Sequence, residues 1–125
     1  LKIRKKIWKK YYESFKSKSF DVPKLWNQKK SEHSYHLFNL YFDKKRDGIS
    51  RDEVILKLHK KKIGVGIHYR AIPDHSIYKK LYKWNIDDYP NAKKIGRQTI
   101  SIPLSPSLSK SDVLKVIKIV SKINK

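Results

Sequence analysis

The sequence contains no cysteine at all. That excludes a disulfide framework, a thiolate metal site and a cysteine nucleophile, and it suits a reducing compartment such as the cytoplasm. Methionine is also absent, so the chain is expected to be a piece or processed product of something longer. Acidic residues are scarce, 11 Asp and Glu against 31 Lys and Arg. No run approaches the ~20 apolar residues of a membrane span, and the basic N-terminus has no apolar stretch of signal-peptide type. No Gly-x-Ser-x-Gly, Walker loop or Gly-x-Gly-x-x-Gly occurs, and Gly64-Val65-Gly66 is too short to stand for one. A stand-alone catalytic constellation is missing.

What is present suffices for one fold. The 125 residues fill one small domain, and 38% hydrophobic residues with three Trp, eight Tyr and four Phe exclude a disordered tail. The net charge of +20 lies far outside the magnitude of roughly 2–8 usual for a small domain. It raises the reading of a basic nucleic-acid-binding module, which would hold DNA in a salt-sensitive, sequence-blind way. Against it, only five of the basic residues are arginine, the residue of base-edge readout, and the lysines are spread along the chain instead of clustering. A lysine-studded solvated surface explains them better.

Periodicity gives the elements. Ile3, Ile7, Trp8, Tyr11, Tyr12 and Phe15 form the stripe of an amphipathic helix over 1–17, which finds no obvious partner in the layers that follow. Asp21-Val22-Pro23 breaks it and a connector follows. Ser34 to Phe42 reads as a buried strand, and Asp43 to Gly48 as a turn ending on Asp47-Gly48, whose glycine tolerates positive φ. Ser50-Arg51-Asp52-Glu53 is a capping box that starts a helix reaching Lys62, with Gly64 as its left-handed cap. Ile63 to Tyr69 predicts a strand closed by Pro73, Ser76 to Trp84 a short helix, and Pro90 to Gln98 another. Thr99 to Leu104 alternates as a strand. Ser109 and Asp112 open a last helix with a wide apolar face that includes Leu114 and turns Lys115, Lys118 and Lys122 to solvent. The expected fold class is α/β in the α+β sense: two layers, a small, mainly antiparallel sheet of about three strands, and helices mostly on one face.

Chemistry is sparse. His33 and His36 sit on or beside a strand at a spacing that points them to opposite faces, and no acidic residue completes a metal set. No metal site is expected. His68-Tyr69-Arg70 stands out, because it places an imidazole, a phenol and a guanidinium at a strand end before a proline-containing loop. From composition by itself, a capped strand end with rings covering the core explains this cluster better than a binding site does.

The succession His33-Ser-Tyr-His-Leu-Phe38, Asp47-Gly-Ile-Ser-Arg-Asp-Glu53, Ile63-Gly-Val-Gly-Ile-His-Tyr-Arg-Ala-Ile72, Tyr89-Pro-Asn and Ser101-Ile-Pro-Leu-Ser-Pro106 resembles the C-terminal domain of the DegT/StrS sugar aminotransferases over essentially the whole chain. The resemblance implies the small domain of a fold-type I aminotransferase, with 1–20 a linker helix from a large domain and 21–125 the small domain proper. It implies pyridoxal phosphate (PLP), bound by the large domain, so that no lysine of this chain anchors the cofactor, no residue here is catalytic and the isolated piece is inactive. It implies a nucleotide-linked keto sugar as substrate and an amino acid, commonly glutamate, as donor, in a cytoplasmic homodimer serving surface polysaccharide or glycan synthesis. His68 and Tyr69 match the family's His-aromatic pair facing the sugar nucleotide, and Arg70 is placed to meet phosphate. The wording at 70–72 leans toward the subgroup making 4-amino-4-deoxy-L-arabinose and similar sugars. A further family histidine is replaced by Pro73, with His75 two positions on, which separates this chain from the common pattern. A domain that keeps the shape and has lost the site is the remaining alternative.

Overall fold

Two short stretches whose residues alternate in polarity make the sheet. In the computed structural model, which describes residues 1–24 and 32–124, β1 (Phe38–Tyr41) and β2 (Thr99–Ile102) run antiparallel. Phe38 lies opposite Ile102, Asn39 opposite Ser101, Leu40 opposite Ile100 and Tyr41 opposite Thr99. Side chains alternate between faces along a strand, so Phe38, Leu40, Ile100 and Ile102 share one face while Asn39, Tyr41, Thr99 and Ser101 share the other.

The apolar face is the floor of the core. Three helices contribute to it: α1 (Lys2–Phe15) with Ile7, Trp8, Tyr11 and Phe15, α3 (Arg51–Lys60) with Val54 and Leu58, and α6 (Lys110–Val120) with Val113, Val116 and Val120. The rings of Trp8, Tyr11 and Phe15 all lie 5.1–6.2 Å from that of Phe38. The aromatic stripe of α1 therefore has its partner inside this domain, which corrects the expectation that it would find none. Its polar tips are satisfied too: Trp8 Nε1 donates to Leu37 O at 3.1 Å and Tyr11 Oη to Pro103 O at 2.9 Å. Burial, with the charge of Asp112 adding to it, pushes the Tyr11 phenol up to about 12. Ile3, read as part of the stripe, is exposed, and so is Leu114 on α6.

The third strand is not formed. Residues 63–69 touch the sheet at one point, where Gly66 N donates to Ser101 O at 3.1 Å and Ser101 N to Gly66 O at 2.7 Å. Beyond Gly66 the His68 carbonyl accepts from the side chains of Asn39 and Thr99, both at 3.3 Å, instead of from a neighbouring strand. The chain is thereby drawn across the polar face. A similar single bridge, Asp21 with Tyr41, occupies the far side of β1. The sheet thus has two strands where about three were expected, and helices mostly on one face as expected.

The capping box of Ser50 and Glu53 is present, and its two hydrogen bonds to Ser50 hold the exposed Glu53 carboxyl down at about 2. The left-handed position after α3 is Lys62, φ 57°, and not Gly64. Ile63 N still reaches Leu58 O at 3.0 Å, so the helix closes correctly although a residue with a Cβ makes the turn. Residues 43–48 form more than a turn: α2 (Lys44–Asp47) is one helical turn capped by Asp43 and ended by Gly48 at φ 71°. Ser109 and Asp112 form a complete capping box for α6. α4 (Ser76–Tyr82) and α5 (Pro90–Gln98) follow the expected ranges closely. α4 buries none of its residues. The connector expected after Pro23 falls, for 25–31, outside the described residues.

Candidate functional site

The polar face of the sheet carries the candidate site. Asn39 and Ser101 face each other across the ladder, and Ser101 Oγ lies 2.5 Å from Asn39 Oδ1 and 2.9 Å from His68 Nδ1. Asn39 Nδ2 and Thr99 Oγ1 donate to the His68 carbonyl oxygen. Thr99 and Ser101 are buried, so each hydroxyl needs the partner it has. His68 is thus held twice, by its ring and by its backbone.

Gly66 makes room for that ring. A Cβ at this position would stand 2.5 Å from His68 Cε1, whereas one at Gly64 would meet nothing within 4 Å. Gly96 on α5 does the same for the next segment, because a Cβ there would come 2.7 Å from Ala71 N. Two close approaches therefore fix residues 66–71 over the sheet. A shallow groove of about 400 Å³ runs beside them, lined by His36, Gly66, His68, Ser101 and Leu104 among others.

The three residues singled out in the sequence fare differently. His68 is half-buried at the groove, and Tyr69, joined to it by a cis peptide bond, is 69% exposed with its ring edge-on to the imidazole at 4.9 Å. Arg70 turns to Asp74, donating from Nε to Oδ2 at 3.1 Å and from a terminal nitrogen to the backbone oxygen at 2.9 Å. Lys79 also bonds that carboxylate, and Lys79 and then Arg70 hold Asp74 below the usual carboxylate range. The guanidinium is an ion-pair member here. Asn39, Thr99 and Ser101 escaped the sequence reading; their only signal is polarity in the middle of apolar strands.

Other candidates disperse. His33 packs on Trp8 at 5.0 Å and accepts from Tyr35 N through Nδ1, while His36 is exposed. Among the described residues no group of three His, Asp or Glu could hold a metal ion. Lys57, Lys60, Lys61, Lys118 and Lys122 gather around a groove of about 430 Å³. They sit at the C-terminal ends of α3 and α6, where cations answer the negative end of the helix dipole, and Lys57 Nζ donates to Ile123 O at 3.0 Å. Helix geometry accounts for them without a ligand. No lysine among the described residues is buried, so none offers the enclosed amine that a covalently held PLP requires. By themselves the described residues do not enclose that cofactor. No helix among them is long and apolar enough to cross a membrane.

Comparison with known proteins agrees with this architecture. The chain is 32% identical over 123 residues to the uncharacterized protein MJ1066 of Methanocaldococcus jannaschii, covering 98% of this chain and 31% of that protein. It is 37% identical over 94 residues to the spore coat polysaccharide biosynthesis protein SpsC of Bacillus subtilis, covering 74% and 24%. Spr1654 of Streptococcus pneumoniae, assigned as a sugar aminotransferase and solved in its PMP form, superposes with a TM-score of 0.85 at 25% identity, over 98% of this chain and 30% of that one. The chain thus spans about a third or less of the length of these relatives. The fold is that of the small domain of such enzymes. The model of the DegT/DnrJ/EryC1/StrS aminotransferase family matches residues 1–121, and the chain belongs to that family.

Proposed function

We propose that this chain is the C-terminal small domain of a PLP-dependent aminotransferase that moves an amino group, commonly from glutamate, onto a nucleotide-linked keto sugar for polysaccharide or glycan synthesis. The observation that carries the reading is the family match along residues 1–121. The division of labour is part of the proposal. A large domain outside this chain binds PLP, which supplies the electron sink for amino transfer, and the isolated small domain is inactive. Residues 1–20 lead in from that domain and 21–125 form the small one, with α1 serving as connection and as core wall at once.

Within this chain His68 and Tyr69 are the substrate-facing pair. His68 is rigidly held at an open groove and Tyr69 projects into solvent, a combination suited to contacting a ligand presented by another domain. Arg70 would meet phosphate only by leaving Asp74 or sharing its remaining donors. Exposed Ile77, Leu81 and Tyr82 on α4, beside Tyr78 stacked on Trp84 and Tyr89 tilted against it, form an apolar surface that supports packing against the rest of a homodimeric parent.

The test uses the full-length chain with PLP, glutamate and a nucleotide-linked keto sugar, reading the amino-sugar product by mass. Amino transfer is expected, and His68→Ala should raise KM about tenfold, the worth of one hydrogen bond of about 1.4 kcal/mol. A full-length chain that takes up no PLP and forms no amino sugar overturns the proposal. Unchanged KM and kcat in His68→Ala would reduce the pair to packing.

A further inference from the structure

The hydrogen bonds over the polar face fix more than the position of His68. They form a sequence of forced choices that begins at a group with one possible role. The His68 backbone oxygen can only accept, so the Asn39 side-chain atom 3.3 Å from it is the amide nitrogen, and the other atom of that amide is the oxygen. That oxygen can only accept, so the Ser101 hydroxyl, 2.5 Å away, spends its single proton on it. Ser101 Oγ then has only lone pairs left to turn toward His68. At 2.9 Å, the donor in the remaining contact is the imidazole Nδ1–H.

We propose that Asn39 and Ser101 are positioning residues that hold His68 in the Nδ1–H tautomer, leaving Nε2 as a hydrogen-bond acceptor for a hydroxyl group of the bound sugar. The second half rests on the substrate-facing role of His68 put forward above. Nε2 has no hydrogen-bond partner among the described residues, and the one buried side-chain polar atom there without a partner is Arg4 Nε, so Nε2 is open to solvent. A neutral imidazole in this tautomer takes a donor at that atom and refuses a bare phosphate oxygen. The relay therefore orients this part of the groove toward the sugar's hydroxyls and away from the diphosphate.

The arrangement needs each part as it stands. The carbonyl that orients the amide belongs to His68 itself, so the ring and its relay are registered to the same residue. Gly66 lets the imidazole descend to the Ser101 hydroxyl. The antiparallel register sets Asn39 opposite Ser101, and a slip of one residue would put an apolar side chain in place of one of them.

The experiment reads the tautomer directly, by nitrogen NMR on the full-length chain labelled with 15N-histidine, at a pH where the ring is neutral. The His68 signals are those lost in His68→Gln. In the wild type Nδ1 should show the shift of a protonated, pyrrole-type nitrogen and Nε2 that of a bare, pyridine-type one. Ser101→Ala removes the acceptor, and Asn39→Leu frees the hydroxyl proton to turn to Nδ1. Each variant, shown folded by circular dichroism, should invert the two shifts. A wild-type ring protonated at Nε2 overturns the proposal, and so does a tautomer unmoved in both folded variants. The sugar half is read apart, as KM against kcat for Ser101→Ala. A several-fold rise in KM with little change in kcat supports it. An inverted tautomer with KM unmoved overturns the substrate half while the relay stands, and the role of His68 itself is judged separately by His68→Ala.

Discussion

The two faces of the same two-strand sheet are held by different forces. On one, Phe38, Leu40, Ile100 and Ile102 are sealed under three helices, and stability there comes from area removed from water, which is insensitive to direction and to pH. On the other, Asn39, Thr99 and Ser101 are tied to a single loop residue by directed hydrogen bonds. The first face tolerates repacking and loses free energy in proportion to what is deleted. The second has a unique arrangement, since moving one donor leaves another group unpaired. A sheet of eight residues thus supplies both a foundation and a defined orientation.

That contrast can be broken from either side. Phe38→Ala should have the largest effect, a loss of about 3–5 kcal/mol in urea unfolding, because the ring sits among Trp8, Tyr11 and Phe15. Next comes the ionic cluster at the outer edge of β1, where Arg46 bonds Asp47, Asp21 and Tyr41 O. Burial would raise the Asp47 carboxyl, but the bonds from Arg46 and from Asp43 N outweigh it and hold the group below its usual value. A lowered folded-state pKa means the contribution is present above the unfolded value, about pH 4, and is lost as pH falls through the folded one. Asp47→Ala should cost about 2–3 kcal/mol at neutral pH and flatten the acid limb of the stability curve, whereas Phe38→Ala should lower the curve evenly.

Gly66→Ala should cost about 1–3 kcal/mol by crowding the imidazole, and if His68 has the proposed role it should raise KM of the full-length chain more than its effect on stability would suggest. Gly64→Ala, two residues away, should shift the unfolding midpoint hardly at all, within about 0.5 kcal/mol, since nothing lies in reach of the added methyl. In between falls Lys62→Gly, a gain of about 1 kcal/mol from relieving the left-handed backbone.

How much of this was legible depended on the range of the interaction. The capping boxes at Ser50 and Ser109 were readable because both partners lie three residues apart. The stripe on α1 was readable as a face, but its partner, Phe38, lies across the fold, so its placement was not. Ile63, Val65 and Ile67 alternate like a strand, yet the side chains of Asn39 and Thr99 take the carbonyl of His68 and turn the chain away after one bridge. Glycine preference pointed to Gly64 as the left-handed residue, but helix closure onto Leu58 demanded that conformation two positions earlier. In the site, His68 was visible as chemistry at an expected strand end. Its supports were not, because Asn39 and Ser101 are 62 residues apart and only the register brings them together.

One feature of the sheet reaches beyond the site. Asp21 closes onto the outer side of β1 and Gly66 onto the outer side of β2, one residue at each border. A foreign extended segment seeking to lengthen the sheet would find these rungs already taken and the chain curving off on either side. Backbone-to-backbone extension at Tyr41 or Ser101 therefore has to displace a rung of the chain's own, which tells against that route into aggregates for a lysine-rich protein with exposed aromatic rings.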